Sequence, residues 1–198
     1  METYHFDHIR LDFKGPFSFL SHSAYPCVFD VQGSRKPGIY IFATNTNNGW
    51  FVNYVGQTGR TFRKRLREHV LDFLSGQERV YDPSDYLKGR KNVLWDGLWR
   101  RGRNYEINAL VDNYVVQAQA RVERLKVTNV FFAPLEATAE IREAIESQIA
   151  LNIYSDHNGC AALMESDVRY ISRSFGDSLN VEISSAANLN GLPKFMRL

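Results

Sequence analysis

Five cationic side chains fall within a run of eight residues, a density that suits contact with phosphate groups. His69 follows Arg65 by four positions, so on a helix these two side chains lie on one face. A solvated basic helix face is the more ordinary explanation of such a run when it is taken alone. The cations are Arg60, Arg63, Lys64, Arg65 and Arg67.

Two tyrosines, Tyr40 and Tyr54, precede this run on stretches of β-branched and aromatic residues. Breaking a phosphodiester bond requires a water molecule, a group that takes its proton, and charge stabilisation on the phosphoryl oxygens. A tyrosine with its ordinary pKa of about 10 is a scarce base at pH 7, and nearby cations favour its ionised form. The tyrosines and the cations therefore make chemical sense together. For an isolated hairpin, half-buried strand tyrosines with satisfied hydroxyls are the preferred explanation.

The tyrosines are expected on a β-hairpin. Residues 38–43 and 51–57 have the composition of strands, and an Asn-Gly pair between them is a strong turn signal. Alternation along the second strand groups Val52 with Tyr54 and Gly56 on one face. Because Gly56 has no β-carbon, another backbone or a ligand can approach closely at the end of that strand.

Four further elements follow from periodicity and turn signals. A helix is predicted at residues 61–74, a second helix at residues 105–125, a third strand at residues 127–132, and a last helix at residues 138–153. On the second helix, a core-facing stripe is predicted at Leu110, Tyr114, Ala118 and Val122. On the last helix, Glu146 follows Ile145, so its carboxylate is expected at the rim of the core.

Composition limits the function classes. A chain of 198 residues with 44% hydrophobic content can bury a core, and a net charge of +2 confines any nucleic-acid surface to a local patch. Cys27 and Cys160 are too few for a disulfide framework or a zinc site, which favours a reducing, cytoplasmic compartment. No stretch approaches about eighteen apolar residues, and residues 1–10 lack the apolar run of a signal peptide, so no membrane span is expected.

Taken together, these motifs resemble those of the GIY-YIG nucleases, a family that includes phage homing endonucleases, a nucleotide-excision repair endonuclease and small restriction enzymes. The similarity involves two separate segments in the family's order and covers residues 38–158. The matching residues are Gly38-Ile39-Tyr40, Tyr54-Val55-Gly56, Arg65 and His69, followed later by Glu146 and Asn158.

The resemblance implies an α/β (α+β) fold with a small, three-stranded, mainly antiparallel sheet flanked by helices. Residues 75–125 would then form a large helical insertion within a single domain. Residues 1–37 and 159–198 would be extensions, the first packed as an appendage on the domain.

The resemblance also implies roles for the hairpin and the helix after it. Tyr40 would be the general base and Tyr54 would support it or contact phosphate, although the two tyrosines could exchange roles. Arg65 would pair with the scissile phosphate, bidentately where geometry allows. His69 would form a hydrogen bond with a tyrosine or with the water.

Glu146 and Asn158 complete the catalytic set that the resemblance implies. Glu146 would hold a divalent cation, Mg²⁺ or Mn²⁺, which would stabilise the leaving oxygen. Because Mg²⁺ prefers oxygen ligands and keeps several waters, one protein carboxylate plus phosphate is an adequate site.

Nucleic-acid contacts are predicted in two patches, one around the start of the 61–74 helix and one in the insertion. In the insertion, cations alternate with aromatic residues, which suits phosphate and base contacts. A surface subdomain whose Trp95 and Trp99 pack inward explains the insertion equally well. The predicted contact residues are Gly56, Gln57, Arg60, Arg63, Lys64 and Arg67 in the first patch and Lys88, Arg90, Lys91, Arg100, Arg101 and Arg103 in the second.

The sequence thus predicts a metal-dependent DNA endonuclease. A restriction or mobile-element role is favoured over repair, since no second catalytic or helix-hairpin-helix module is visible. Site-specific cleavage of both strands would call for a homodimer. The alternative is a module that keeps the fold and binds DNA or RNA without cleaving it.

Overall fold

The computed structural model describes residues 8–98, 107–155, 160–165, 170–171 and 179–198. Within these ranges the chain forms nine β-strands and five α-helices. The strands are β1 (His8–Ser18), β2 (Gly38–Thr46), β3 (Gly49–Thr58), β4 (Val80–Tyr81), β5 (Val93–Trp95), β6 (Thr128–Pro134), β7 (Asn180–Ser185), β8 (Leu189–Asn190) and β9 (Phe195–Arg197). The helices are α1 (Phe62–Leu74), α2 (Pro83–Leu87), α3 (Ile107–Asp112), α4 (Tyr114–Val127) and α5 (Ala139–Ser155).

The fold is mixed α/β, and its main sheet is larger than the predicted three-stranded sheet. The three predicted strands are present as β3, β2 and β6, adjacent and antiparallel. They belong to a seven-stranded sheet with the order β8-β3-β2-β6-β1-β7-β9. The remaining two strands, β4 and β5, pair with each other.

The additional strands come from the segments that were expected to be extensions. β1 lies inside the sheet, antiparallel to β6 and parallel to β7. Its apolar residues Ile9, Leu11 and Phe13 alternate with exposed residues and enter the core. β1 pairs through backbone hydrogen bonds with a strand about 170 residues away, and such a pairing leaves no local signal in the sequence.

The hairpin has the predicted turn, but one strand position is displaced by an irregularity. Phe42 pairs with Tyr54 and Ala43 pairs with Val52, so an extra residue, Asn53, lies on β3 between two successive pairs. Val52 therefore packs in the same core as Val55, on the face opposite Tyr54. The predicted grouping of Val52 with Tyr54 is wrong for this reason.

The sheet separates two hydrophobic clusters. On one face, α5 buries Ile145, Ile149 and Ile153 against β-strand residues. On the other face, α1 packs Phe62 and Leu66 into the cluster that contains Tyr40. The catalytic candidates of β2 and α1 are therefore positioned by packing on the α1 side of the sheet.

Helix α1 begins where the sequence predicts. Thr61 is the N-cap, and its side chain accepts a hydrogen bond from the Lys64 backbone N–H. The helix ends at Leu74, two residues before Gly76, which has a φ of 85°. His69 is buried on the same face as Leu66, so this packing fixes its orientation toward the sheet.

The predicted second helix is divided into α3 and α4, and its predicted core face is wrong. Tyr114 and Val122 are 53% and 42% exposed, whereas Arg121 and Arg124 are buried. Arg124 stacks over the Tyr86 ring at 3.6 Å and donates hydrogen bonds to two threonines, which replace its hydration. Hydrophobic periodicity could not reveal a face that is buried through guanidinium contacts.

No helix in the described ranges has the length and apolar character needed to cross a bilayer.

Candidate active site

Three side chains from two elements meet at the hydroxyl of Tyr40. The hydroxyl lies 2.7 Å from His69 Nε2 and 3.3 Å from Arg65 Nε, and the neighbouring Tyr54 side chain acts to lower its pKa. The Tyr40 and Tyr54 ring centroids are 6.0 Å apart. The structure therefore brings together the four residues that the sequence predicts on the hairpin and on α1. Their proximity is a structural result, and their catalytic roles are proposals.

Gly56 provides the space in which the Tyr40 ring lies. A β-carbon at Gly56 would stand 2.4 Å from Tyr40 Cζ and 2.6 Å from a Tyr54 ring carbon. The close approach that the sequence predicts at this glycine is therefore made by the two tyrosine side chains. Any larger residue must displace at least one of them.

We expect Gly56→Ala to destabilise the fold by about 1–3 kcal/mol, because overpacking a core position costs that much. It should also break the Tyr40–His69 hydrogen bond. Urea unfolding measures the stability, and a crystal structure of the variant locates Tyr40. Gly89→Ala is the matched control: its β-carbon would meet nothing within 4 Å, so only the strain of its φ of 77° is added. A Gly56→Ala protein with parental stability and an unmoved Tyr40 would contradict this prediction.

The pKa values of the two tyrosines move in the direction opposite to the one expected. Burial raises the pKa of Tyr40 to about 12, and the opposing effect of Arg65 is smaller. Burial also raises the pKa of Tyr54 well above its ordinary value, as does the neighbouring Tyr40. Arg65 does favour the ionised form of Tyr40, as expected of a nearby cation, but desolvation outweighs this contribution and the net shift of the pKa is upward.

His69 is neutral at physiological pH. Burial, followed by the nearby Arg65 charge, lowers its pKa to about 4. Its Nε2 atom faces Tyr40, and its Nδ1 atom lies 3.4 Å from Glu78 Oε1. Sequence reasoning missed Glu78, which lies in the predicted insertion, nine residues after His69, and matches no motif.

Two of the cations around the start of α1, Arg60 and Arg65, contact the Glu68 carboxylate. Arg60 forms two hydrogen bonds to Glu68, at 2.7 and 2.6 Å, and Arg65 Nη1 approaches the same carboxylate at 3.6 Å. Glu68 therefore neutralises part of the predicted phosphate-binding charge. Arg65 is 31% exposed at its side chain, so its guanidinium reaches both Tyr40 and solvent.

Glu146 lies on α5, where its side chain is partly buried. Its charge acts on Tyr40, Tyr54 and Tyr170, raising the pKa of each in addition to the larger effect of burial. A single carboxylate whose charge acts on these tyrosines suits a Mg²⁺ ion that completes its shell with water and phosphate oxygens. The described residues contain no group of three or more His, Cys, Asp or Glu side chains placed to hold a metal. Asn158 lies outside the described residues.

Arg142 is a second residue that sequence reasoning missed. It donates through Nε to Gln57 Oε1 at 3.2 Å, and its Nη2 would lie 2.5 Å from a β-carbon at Gly59. It precedes Glu146 by four residues, so the two side chains share a helix face. That spacing was readable from the sequence once Glu146 was chosen as a candidate.

Three exposed cations of α1 line a groove on the protein surface. Arg63, Lys64 and Arg67 line it together with Phe29 and Thr61. In the described part of the chain, none of these three cations forms an ion pair, in contrast to Arg60. This groove is the portion of the predicted first patch that keeps its charge available to a ligand.

In the second predicted patch, some of the cationic side chains contact other groups of the protein. Arg90 forms an ion pair with Asp85, and the Lys91 ammonium donates to the Met164 carbonyl and lies 5.7 Å from the Tyr81 ring centroid. Lys88 is exposed. The remaining members of this patch, Arg100, Arg101 and Arg103, lie outside the described residues.

Comparison with known proteins finds no matching family model, no similar curated protein and no similar solved structure. The resemblance to GIY-YIG nucleases is therefore a prediction that depends on the motif residues and on the arrangement they form.

Proposed function

We propose that this protein is a metal-dependent DNA endonuclease that hydrolyses phosphodiester bonds. The observation that carries the proposal is the meeting of Arg65, His69 and Tyr54 at the Tyr40 hydroxyl, beneath Gly56. In this arrangement Tyr40 would accept the proton of water, and His69 would accept the proton that Tyr40 gives up. The Arg65 guanidinium would bind phosphate.

The proton path follows from the hydrogen bonds of Tyr40. With a pKa of about 12, only about one molecule in 10⁵ carries Tyr40 as tyrosinate at pH 7, a deficit of about 7 kcal/mol. We therefore propose that Tyr40 takes the proton of the attacking water as its own proton passes to His69 Nε2, 2.7 Å away. A neutral His69 is suited to this step, because its free nitrogen can accept the proton.

Arg65 is placed to serve both the base and the substrate. Its Nε atom donates to the Tyr40 oxygen at 3.3 Å, which stabilises negative charge there as the proton leaves. Its partly exposed guanidinium retains donors for a phosphoryl oxygen. Lysine would be a poor substitute, since it is a single point charge that cannot span both partners.

Glu146 would hold the divalent cation, which when bound supplies charge stabilisation at the phosphate and the departing 3′ oxygen. Arg142 and Gln57, linked by a hydrogen bond, would fix the end of β3 against α5 beside it. The groove of Arg63, Lys64 and Arg67 would contact phosphates of the bound DNA.

The deciding experiment incubates the purified protein with supercoiled plasmid, with Mg²⁺ or Mn²⁺ and, separately, with chelator. We expect nicking that requires the divalent ion. Sequencing the cut ends then distinguishes site-specific cleavage, which suits a restriction or mobile-element role, from structure-specific cleavage. Intact plasmid over a range of divalent ions would refute the proposal.

A second candidate function is a DNA- or RNA-binding module that does not cleave. It is favoured by the groove of unpaired cations, together with the absence of any three-residue metal cluster among the described residues. A protein that retards DNA in a gel without nicking it under any metal condition would belong to this class.

Salt dependence tests the groove under either function. We expect Arg63→Ala, Lys64→Ala and Arg67→Ala each to reduce the slope of log affinity against log salt by about one unit, since each removes one phosphate contact. Lys126→Ala is the control, because this exposed lysine is paired with Glu123 on α4. Binding curves on a short duplex at several salt concentrations give the slopes. Unchanged slopes in all three variants would mean that the nucleic acid does not bind in this groove.

A further inference from the structure

A second proton-binding cluster lies behind His69, on the side away from Tyr40. A cavity of about 40 Å³, large enough for at least one water molecule, is lined by His69, Glu78 and Glu165. The Glu78 side chain is 34% exposed, so protons can reach it from solvent. None of the predicted catalytic roles uses these two carboxyl groups.

Glu165 is held firmly beside this cavity by its backbone. Its N–H donates to the Asn53 carbonyl at 2.8 Å, and its carbonyl accepts from the Tyr154 hydroxyl at 2.7 Å. Asn53 is the extra residue of the β3 irregularity, so the same feature that displaces Val52 also anchors Glu165.

We propose that Glu78 is a positioning residue whose ionisation selects the tautomer of His69 and thereby switches the site between a resting and a competent state. The proposal rests on the proposed function and extends it to regulation of the same site. It follows from the two contacts of one imidazole, Nε2 with Tyr40 at 2.7 Å and Nδ1 with Glu78 at 3.4 Å.

The switch is a consequence of hydrogen-bond direction. An ionised Glu78 can only accept, so the His69 proton resides on Nδ1 and Nε2 is free to accept the proton of Tyr40. A protonated Glu78 can donate to Nδ1, so the His69 proton resides on Nε2 and points at the Tyr40 oxygen. In the second state Tyr40 cannot transfer its proton to His69.

The competent state also balances charge during the proton transfer. The water O–H bond breaks as its proton joins the Tyr40 oxygen, and the Tyr40 proton joins His69 Nε2. The resulting imidazolium keeps its Nδ1 proton in a hydrogen bond to the Glu78 carboxylate, which remains ionised and stabilises the new positive charge. The proton can later return through Tyr40 to the departing oxygen.

The surroundings of Glu78 shift its pKa upward, which supports the switch that the two contacts of His69 define. Partial removal from water, followed by repulsion from Asp72, raises the pKa of Glu78 to about 7, and burial with the nearby Glu78 charge raises the pKa of Glu165. A raised carboxyl pKa means that the competent, ionised form is gained as pH rises through about 7. The charged and titratable groups facing the pair are Arg65, His69 and Asp72 on α1, Arg124 on α4, and Arg79 and Lys91 in the segment between them.

The test is nuclear magnetic resonance of isotope-labelled histidine, since the imidazole nitrogen shifts report the tautomer without any cleavage assay. In the parent protein we expect the His69 proton to move from Nε2 to Nδ1 as pH rises through about 7. In Glu78→Gln, which preserves shape but cannot ionise, we expect no pH-dependent change between pH 5.5 and 8.5. A His69→Gln sample identifies the His69 signals among the five histidines.

Two further variants sharpen the test. Glu165→Gln should keep the tautomer change but lower its midpoint, because one neighbouring negative charge is removed; it also decides the question should Glu78→Gln fail to fold. Glu182→Gln is the control, since Glu182 pairs with Arg10 and does not line the cavity. A single His69 tautomer in the parent at every pH, or a parental titration in Glu78→Gln, would overturn the inference.

If the protein cleaves DNA, the rate provides a second readout. The parent rate should rise through pH 7, whereas Glu78→Gln should lose this rise and run roughly tenfold or more slower at pH 8. Tautomer switching in a protein that never cuts DNA would reject the proposed nuclease function alone. Cleavage without tautomer switching would reject the Glu78 switch alone.

Discussion

Glu146→Gln is expected to reduce Mg²⁺-dependent nicking by roughly 10³-fold or more. Metal-ion stabilisation of a phosphoryl transition state is worth several kcal/mol, and each step of about 1.36 kcal/mol is tenfold in rate. The glutamine keeps the volume of Glu146 on α5 but removes the charge that acts on Tyr40, Tyr54 and Tyr170. DNA affinity in chelator should be maintained or increased, because an anionic group near phosphate has been removed.

Two other glutamates on the same helix test the assignment of Glu146, one as a control and one as the alternative ligand. Glu140 is exposed in the first turn of α5, so Glu140→Gln should leave the rate unchanged. Glu143 is the next candidate should the metal ligand be misassigned. Single-turnover nicking rates as a function of Mg²⁺ concentration measure the effect. Parental activity in Glu146→Gln with a large loss in Glu143→Gln would transfer the metal role to Glu143.

Tyr40→Phe is expected to lower the cleavage rate by roughly 10²-fold or more, because phenylalanine fills the same position but cannot accept the water's proton. The cost to stability should be about 1–3 kcal/mol, since His69 Nε2 and Arg65 Nε lose a buried partner. Tyr54→Phe should cost less activity, because the effect of Tyr54 on the pKa of Tyr40 is smaller than that of Arg65.

Tyr86→Phe separates loss of chemistry from loss of stability. Tyr86 is also fully buried, and its hydroxyl donates to the Leu163 carbonyl and accepts from the Asn53 amide. Its replacement should lower the free energy of unfolding by a similar amount and leave the rate close to that of the parent. Urea unfolding and single-turnover rates are measured on the same preparations. Equal rate losses in Tyr40→Phe and Tyr86→Phe would mean that destabilisation, and not the missing base, slows the reaction.

The pH profile distinguishes two ways in which Tyr40 could act. With its pKa raised by burial to about 12, a preformed tyrosinate would give a rate that keeps rising with pH across the whole stable range. Transfer of the Tyr40 proton to His69 gives a rate that rises through the pKa of Glu78 and then levels off. A histidine base acting alone would level off according to the lowered pKa of His69, near 4.

The elements that carry the candidate site were predictable because their signals are local. The Asn-Gly turn, the strand composition and the apolar stripe of α1 each lie within one short window, and the structure confirms β2, β3 and α1 at nearly the predicted bounds. Only three residues separate the end of β3 from the start of α1. This short connection keeps α1 close to the hairpin, and so it keeps Arg65 and His69 near Tyr40.

Tertiary structure alone decided the rest, because the interactions involved join distant parts of the chain. The place of β1 between β6 and β7 depends on non-local backbone pairing, and the burial of Arg124 depends on Tyr86 and Thr44 from other elements. Glu78 meets His69 only when the chain after α1 folds back. The pKa of Tyr40 rises because desolvation by the assembled core exceeds the attraction of Arg65, and a sequence shows which charges are present but not how much water surrounds them.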